Sequence, residues 1–302
     1  AMNKIVSHKP PRHLDDWLAI CLLKNLYPQA QIECIHPQEI PEEYLERREI
    51  CLVDVGMRYE PELNNLDHHH NSDLPSSVIL VLRHFYPQVD TSARFLQAID
   101  ITDRFGIQSA LKEGLIRGDR STDEKRRVLL LMDISPQVAL LVSQAIKFAA
   151  KMNASYESFM EFLYSLLLHT EELQKAREQL EREKQELERR LREIKVYEIN
   201  GIKVGISAES LAPRHSEVFQ RTGIDMLVER NSMHREHTSL IVNTFSPNKD
   251  RAYEIREELI KEMPVVFRHQ TGFIVVVDKR VEEFQDDILQ GNREGYNLDI
   301  RR

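Results

Sequence analysis

The chain is poor in cysteine, in glycine and in long apolar runs. Its 302 residues hold three cysteines, ten glycines and one tryptophan. Three is an odd count, and Cys21, Cys34 and Cys51 all sit in apolar stretches. Buried thiols in a reducing, cytoplasmic setting are expected from that pattern, not a disulfide frame. No run of 18 uncharged apolar residues occurs, which excludes a membrane-spanning helix. The N-terminus lacks an apolar signal region, so secretion is not expected. Positive charge is also in deficit: 41 Lys and Arg stand against 49 Asp and Glu, a formal charge of −8. A chain of that sign is no electrostatic sponge for nucleic acid, which disfavours a sequence-reading DNA module. An enzyme with a local basic groove stays open.

What is present is patterned. The length suggests two domains at roughly 100–200 residues each. The first half alternates strands and helices. Strands are predicted at Lys4 to Ser7, Ile32 to Ile35 and Ile50 to Val55, and helices at Asp15 to Leu26, Ser76 to Phe85 and Ser92 to Asp103. Such alternation implies βαβ units in a doubly wound, mostly parallel sheet, an α/β fold. Residues 128–168 are apolar at helical spacing and are expected to cover this domain, residues 2–168. A charge run follows from Glu171 to Lys195, with eight acidic and eight basic residues. Leu166, Leu173, Leu180, Leu187 and Ile194 recur every seven residues into and along it. One apolar residue per heptad is a thin seam, so residues 169–195 read either as a long charged linker helix or as a short coiled coil that forms a homodimer through residues 166–195. Residues 196–302 restart as a smaller α/β domain. It opens with a hairpin at Asn200-Gly201, and a helix is predicted from Pro247 to Met263. Strands are expected at Met226 to Glu229, Ser239 to Asn243, Val265 to Phe267 and Phe273 to Val277. The last 20 residues are polar.

Histidine marks the chemistry. Seven of the 12 histidines precede residue 85. Four segments stand out: Ser7-His8 through His13-Leu14-Asp15-Asp16, Asp54 in Val53-Asp54-Val55-Gly56, Asp67-His68-His69-His70, and Asp100 to Asp103. The first two sit at the carboxyl ends of predicted strands and the third is expected after a fourth, where doubly wound sheets bind ligands. Carboxylates can bridge two cations, and neutral imidazoles add ligands without excess charge. Mixed His and Asp ligation suits Mn²⁺, Zn²⁺, Fe²⁺ or Co²⁺ and differs from the all-oxygen shell of Ca²⁺. Each segment alone has a plainer reading: a helix cap at Asp15, a loop residue at Asp54, a solvated turn at His68 to His70, a helix end at Asp100 and Asp103. Four of them after successive strands argue against coincidence.

Together these segments resemble the DHH phosphoesterase superfamily and, within it, the MYG family of metal-dependent exonucleases. The family's opening Thr-His then His-Cys-Asp-Glu pattern is similar to His8, His13, Asp15 and Asp16. Its Val-Asp-Val-Gly, Tyr, Pro and Asp-His-His elements are similar to Val53 to Gly56, Tyr59, Pro61 and Asp67 to His69, its Ser-Ser helix opening to Ser76-Ser77, and its Ala-Ile-Asp to the region of Asp100 to Asp103. The resemblance spans about residues 5–107. It implies two divalent cations, Mn²⁺ foremost with Mg²⁺, Co²⁺ or Zn²⁺ as alternatives. It implies His8 and His13 on one cation, Asp15, His68 and Asp103 on the other, and Asp54 on both. Asp67, His69 and Asp16 would serve catalysis from around the ions. Arg268, His269 and Gly272, with Arg214 and His215, resemble the elements that grip substrate phosphate. The implied activity is phosphodiester hydrolysis on short single-stranded RNA or DNA, a 3′-to-5′ exonuclease. A small-substrate phosphohydrolase acting on pyrophosphate, a cyclic dinucleotide or a phosphomonoester is the alternative, and a metal-stabilised scaffold is a third reading. Two departures stand out. Asp16 replaces the family's Glu, and Arg104-Phe105-Gly106 replaces its Asn-Gly, which leaves Asp100 and Asp103 as alternative ligands.

Overall fold

A computed structural model describes residues 1–290, 300 and 301. The chain divides into two compact units, Ala1–Glu181 and Arg182–Arg302.

The first unit is built on a five-stranded sheet in the order β2-β1-β3-β5-β4. Its strands are β1 (Lys4–His8), β2 (Gln31–Ile35), β3 (Ile50–Val53), β4 (Tyr59–Glu60) and β5 (Asn65–Leu66). β1 runs parallel to β2 and β3, and β3 parallel to β5; β4 alone is antiparallel. All four residues of β3 are buried, as a parallel strand covered on both faces requires. The predicted strand to Val55 ends two residues early, because Asp54 adopts a left-handed backbone (φ 61°) that no strand continues through. The strand after β1 lies on one side of it and β3 on the other. Chain order therefore reverses at β1, and the carboxyl ends of β1, β3 and β5 open on one crevice.

Helices cover the sheet. α1 (Leu14–Leu26) is apolar nearly all round, and ten of its residues are buried. A helix of that composition belongs in the interior. It packs against α2 (Ser77–Phe85), α3 (Arg94–Phe105) and α6 (Pro136–Lys151). Trp17 is fully buried and sends its indole N–H to the Met132 carbonyl, 3.4 Å away. Helices α4 (Ile107–Lys112), α5 (Arg120–Leu130) and α7 (Tyr156–Leu167) complete the cover.

The charged run forms one helix, α8 (Glu171–Glu193). Its heptad leucines are consumed inside the chain. Leu173, Ala176 and Leu180 belong to the core of the first unit, and Leu187 to that of the second. The seven-residue period thus reports an amphipathic stripe facing the chain's own cores.

The second unit has a sheet in the order β10-β11-β9-β8-β7-β6-β12. It comprises β6 (Lys195–Ile199), β7 (Ile202–Ser207), β8 (Met226–Arg230), β9 (Thr238–Val242), β10 (Val265–Arg268), β11 (Ile274–Val277) and β12 (Ile300–Arg301). Only β7 and β8 are parallel neighbours; the other pairs are antiparallel. Asn200 and Gly201 form the β6–β7 turn with φ of 49° and 85°, the left-handed pair that a tight hairpin needs. One face packs against α10 (Lys249–Ile260) and α11 (Val281–Gln290) through Ile255, Leu259 and Phe284. The other packs against α9 (His215–Thr222) and Leu187 through Val218 and Leu227. No helix among the described residues is long and apolar enough to cross a membrane.

Candidate metal centre

Three strand ends, two helix starts and the last turn of α3 deliver the site. His8 closes β1. Its Nδ1–H donates to the Lys9 carbonyl at 2.9 Å, which turns Nε2 inward, 3.2 Å from Asp54 Oδ2 and 3.6 Å from Asp16 Oδ1. His13 stands just before α1, its ring centroid 5.8 Å from that of His8. Asp16 fixes this corner. Its Oδ1 accepts the His13 backbone N–H at 2.6 Å, and its Oδ2 accepts Arg12 Nη1 at 3.2 Å. Arg12 also reaches Cys34 Sγ at 2.7 Å, tying the loop to β2.

Asp54 follows β3 directly and sits in the middle. Oδ1 accepts from His68 Nε2 and from Ser77 Oγ, each at 3.1 Å, while Oδ2 faces His8. Asp67 follows β5. Its Oδ2 accepts the Met57 N–H at 2.7 Å. Its Oδ1 accepts the backbone N–H groups of His68 and His69 at 2.8 and 3.3 Å, and His69 Nδ1–H at 2.6 Å. Four donors on one carboxylate make Asp67 an orienting group, and they hold His68 and His69 in place.

Asp15 is buried and caps a helix, but not its own. Its carboxylate accepts the Ser77 and Val78 N–H groups at 3.3 and 2.8 Å, at the positive end of α2. Sequence spacing did not reveal this pairing across 62 residues; the Ser-Ser start of α2 was its only signal. Asp103 projects into the same place, with Oδ2 3.2 Å from His68 Nε2. That contact lacks hydrogen-bond geometry, and Asp103 Oδ2 is a buried oxygen without a hydrogen-bond partner. Asp100 points elsewhere, to the Ser76 N–H at 2.7 Å and to Arg104 at 3.2 Å. The geometry therefore puts Asp103, not Asp100, in the cluster.

Two donor groups emerge. His8, His13, Asp16 and Asp54 form one; Asp15, Asp54, His68 and Asp103 form the other; each offers atoms within 4.8 Å of one another. A third grouping, Asp54, Asp67, His68 and His69, overlaps both, but there the Asp67 oxygens already serve four donors. The electrostatics fit divalent cations. Burial, then repulsion from Asp103 and Asp54, pushes the Asp15 carboxyl well above the usual carboxylate range. Hydrogen bonds to Asp16 and Asp54 push His8 up to about 11. Burial works against protonation of His68, but Asp103 and Asp54 outweigh it and raise this imidazole to about 10. Burial disfavours the Asp54 anion too, yet the bonds from His68 and His8 hold it below its ordinary value. Protons on the imidazoles stand in for positive charge that the carboxylates demand. Together with the orphaned Asp103 oxygen, this donor set accommodates cations.

The other expected site residues lie in the second unit. Arg268 makes a two-pronged ion pair with Glu257, at 2.8 and 2.9 Å. His269 Nδ1 accepts the Thr271 N–H at 3.1 Å. Gly272, at φ 81°, occupies the turn between β10 and β11. Arg214 pairs with Glu217 at 2.7 Å, and His215 Nε2 meets the buried Glu229 Oε1 at 2.7 Å.

A family model, MYG1_exonuc, described as an uncharacterised protein family (UPF0160), matches residues 4–78. The matched stretch runs from β1 into α2 and includes every member of the two donor groups except Asp103. A search of curated proteins found no match to the chain.

Proposed function

We propose that this chain is a two-metal phosphodiesterase acting on short oligonucleotides, a 3′-to-5′ exonuclease that releases nucleoside monophosphates. The observation that carries the reading is the pair of His/Asp donor groups joined by Asp54. The name of the family model over residues 4–78 points the same way. On this reading residues 2–168 form the catalytic part, 169–195 a connecting helix and 196–302 the substrate-binding part, in a protein of the reducing cytoplasm. His8 and His13 would hold one cation, Asp15, His68 and Asp103 the other, and Asp54 both. The mixed donor set favours Mn²⁺, with Mg²⁺, Co²⁺ and Zn²⁺ as alternatives.

Bound cations supply an ionised water near neutral pH and offset charge on a phosphoryl oxygen. The chain's own residues do the positioning. Asp16 holds His13 through its backbone and stays neutralised by Arg12. Asp67 keeps His69 Nδ1 occupied, so the half-exposed ring presents Nε2 as the hydrogen-bonding atom for a phosphate oxygen. The Lys9 carbonyl fixes the His8 tautomer. Arg268, His269 and the Gly272 backbone, with Arg214 and His215, are the proposed phosphate grip. Arg268 would have to exchange Glu257 for phosphate, a trade of one bidentate oxyanion for another.

The test is release of nucleoside monophosphate from short end-labelled RNA and DNA, with Mn²⁺, Mg²⁺, Co²⁺ or Zn²⁺ supplied singly. Absence of release with all four sinks the proposal. Pyrophosphate, a cyclic dinucleotide and a phosphomonoester in the same panel separate the oligonucleotide reading from the small-substrate one.

A further inference from the structure

A cluster of three mutually repelling carboxyl groups holds together only if the segments carrying them are tied from outside. Asp15, Asp54 and Asp103 come from α1, the end of β3 and α3, and His68 from the end of β5. Mutual repulsion drives these segments apart. Local bonds fix β1, β3 and β5 through the sheet, and the Ser77 hydroxyl meets the Leu66 carbonyl of β5 at 3.4 Å; the loop after His68 and the residue just ahead of α2 need a tie of their own. Two residues of α3 supply the tie. Asp100 is buried, and its Oδ1 accepts the Ser76 N–H at 2.7 Å, immediately ahead of α2. Its Oδ2 accepts Arg104 Nη1 at 3.2 Å, one helical turn on. Arg104 Nη2 then donates to the Ser72 carbonyl at 2.8 Å, inside the loop that follows His68. The Phe105 ring lies 4.8 Å from the guanidinium.

We infer that Asp100 and Arg104 act as a positioning pair that sets cation affinity at the Asp15, Asp54, His68 and Asp103 group. Through Ser76 the pair sets the first turn of α2, whose N–H groups hold Asp15 and whose Ser77 hydroxyl holds Asp54. Through Ser72 it anchors the loop leading away from His68. Asp103 sits between the two members on the same helix, so any shift of α3 moves a ligand and both anchors together. Neither Asp100 nor Arg104 touches the site of reaction. The inference rests on the metal part of the proposed function and not on its substrate.

The experiment is calorimetric titration of the full chain with MnCl₂ alone, for wild type, Asp100→Asn, Arg104→Gln, Arg104→Lys and the Asp100→Asn/Arg104→Gln double variant. Groups that orient metal ligands typically change affinity by about 10–100-fold. One Mn²⁺ is expected to weaken by about tenfold or more in both single variants, while the other, at His8 and His13, changes by less than about threefold. Arg104→Lys, which keeps the charge and one donor, recovers part of the loss. The double variant is no worse than the poorer single one, because the residues act as one unit. A merely structural role would lower both affinities together with the melting temperature of the metal-free protein. That outcome, or two Mn²⁺ ions bound by the variants as tightly as by wild type, overturns the inference and leaves the metal reading intact. A wild type that binds no Mn²⁺ overturns both.

Discussion

The donor cluster of the first unit and the ion pairs of the second treat their carboxylates in opposite ways. In the second unit several acids have a guanidinium of their own. Glu257 faces Arg268, Glu217 faces Arg214, Glu282 faces Arg230 and Glu188 faces Arg221. In the first unit Asp15, Asp54 and Asp103 crowd together beside imidazoles. The nearest guanidinium groups, Arg12 and Arg104, turn to Asp16 and Asp100. Paired acids are finished structures. Unpaired, buried ones are an unfilled electrostatic demand, because burying a charge is costly unless it is compensated. The comparison teaches where to look for chemistry: where the guanidinium groups are withheld, not where acids are numerous.

Breaking the central acid should have the largest effect. Asp54→Asn is expected to lower nucleotide release by roughly 10³-fold or more, since cation stabilisation of a phosphoryl charge is worth several kcal/mol. An initial-rate assay with Mn²⁺ checks this, and activity within tenfold of wild type would refute the shared-ligand role. A core change in the second unit should do the reverse. Phe284 is fully buried, and Phe284→Ala is expected to cost about 3–5 kcal/mol in denaturant unfolding while leaving the Mn²⁺ titration of the first unit unchanged.

Protons sharpen the same contrast. His8 and His68, raised to about 11 and about 10, are protonated at neutral pH before a cation arrives. Each must lose that proton to become a ligand. Binding should therefore release about one proton from each of these two imidazoles at pH 7, and tighten as pH rises. Titrations in buffers of different ionisation enthalpy measure the release; a value near zero contradicts it. The metal-free protein should run the other way. A raised histidine stabilises the fold fully below its unfolded value of about 6.5, and that stability drains away as pH climbs through about 10 and 11. Arg268→Ala should have the smallest effect on stability, under about 1 kcal/mol, because its pair with Glu257 is nearly half exposed. Its reading is in KM for oligonucleotide. Light scattering should find a monomer, since Leu173, Leu180 and Leu187 are spent in the chain's own cores.

The strand ends were legible because they close short, distinctive apolar runs, ICLV before Asp54 among them. The His-rich segments stood out by composition, while the ligand set came only as what the resemblance implies. The choice between Asp100 and Asp103 could not. Three residues on a helix turn about 300°, so the two side chains stand only about 60° apart, and local pattern cannot separate them. The Ser76 N–H takes up the Asp100 carboxylate, while Asp103 stands in the donor group. The heptad of α8 left a linker helix and a coiled coil open for a related reason: period seven describes a buried stripe, and the stripe does not say whose core it enters. The Glu257 partner of Arg268 comes from α10, which no local motif around residue 268 announces.

The left-handed backbone at Asp54 narrows what can ever stand there. Glycine, asparagine and aspartate accept φ 61° readily; longer or branched side chains do so only under strain. Of the three, aspartate alone brings negative charge. The backbone thus acts as a filter on the genetic alphabet at the one position both donor groups share. Asp54→Glu, conservative by charge, should be harder to accommodate than Asp54→Asn, conservative by shape. The centre tolerates loss of function there more easily than a change of reach.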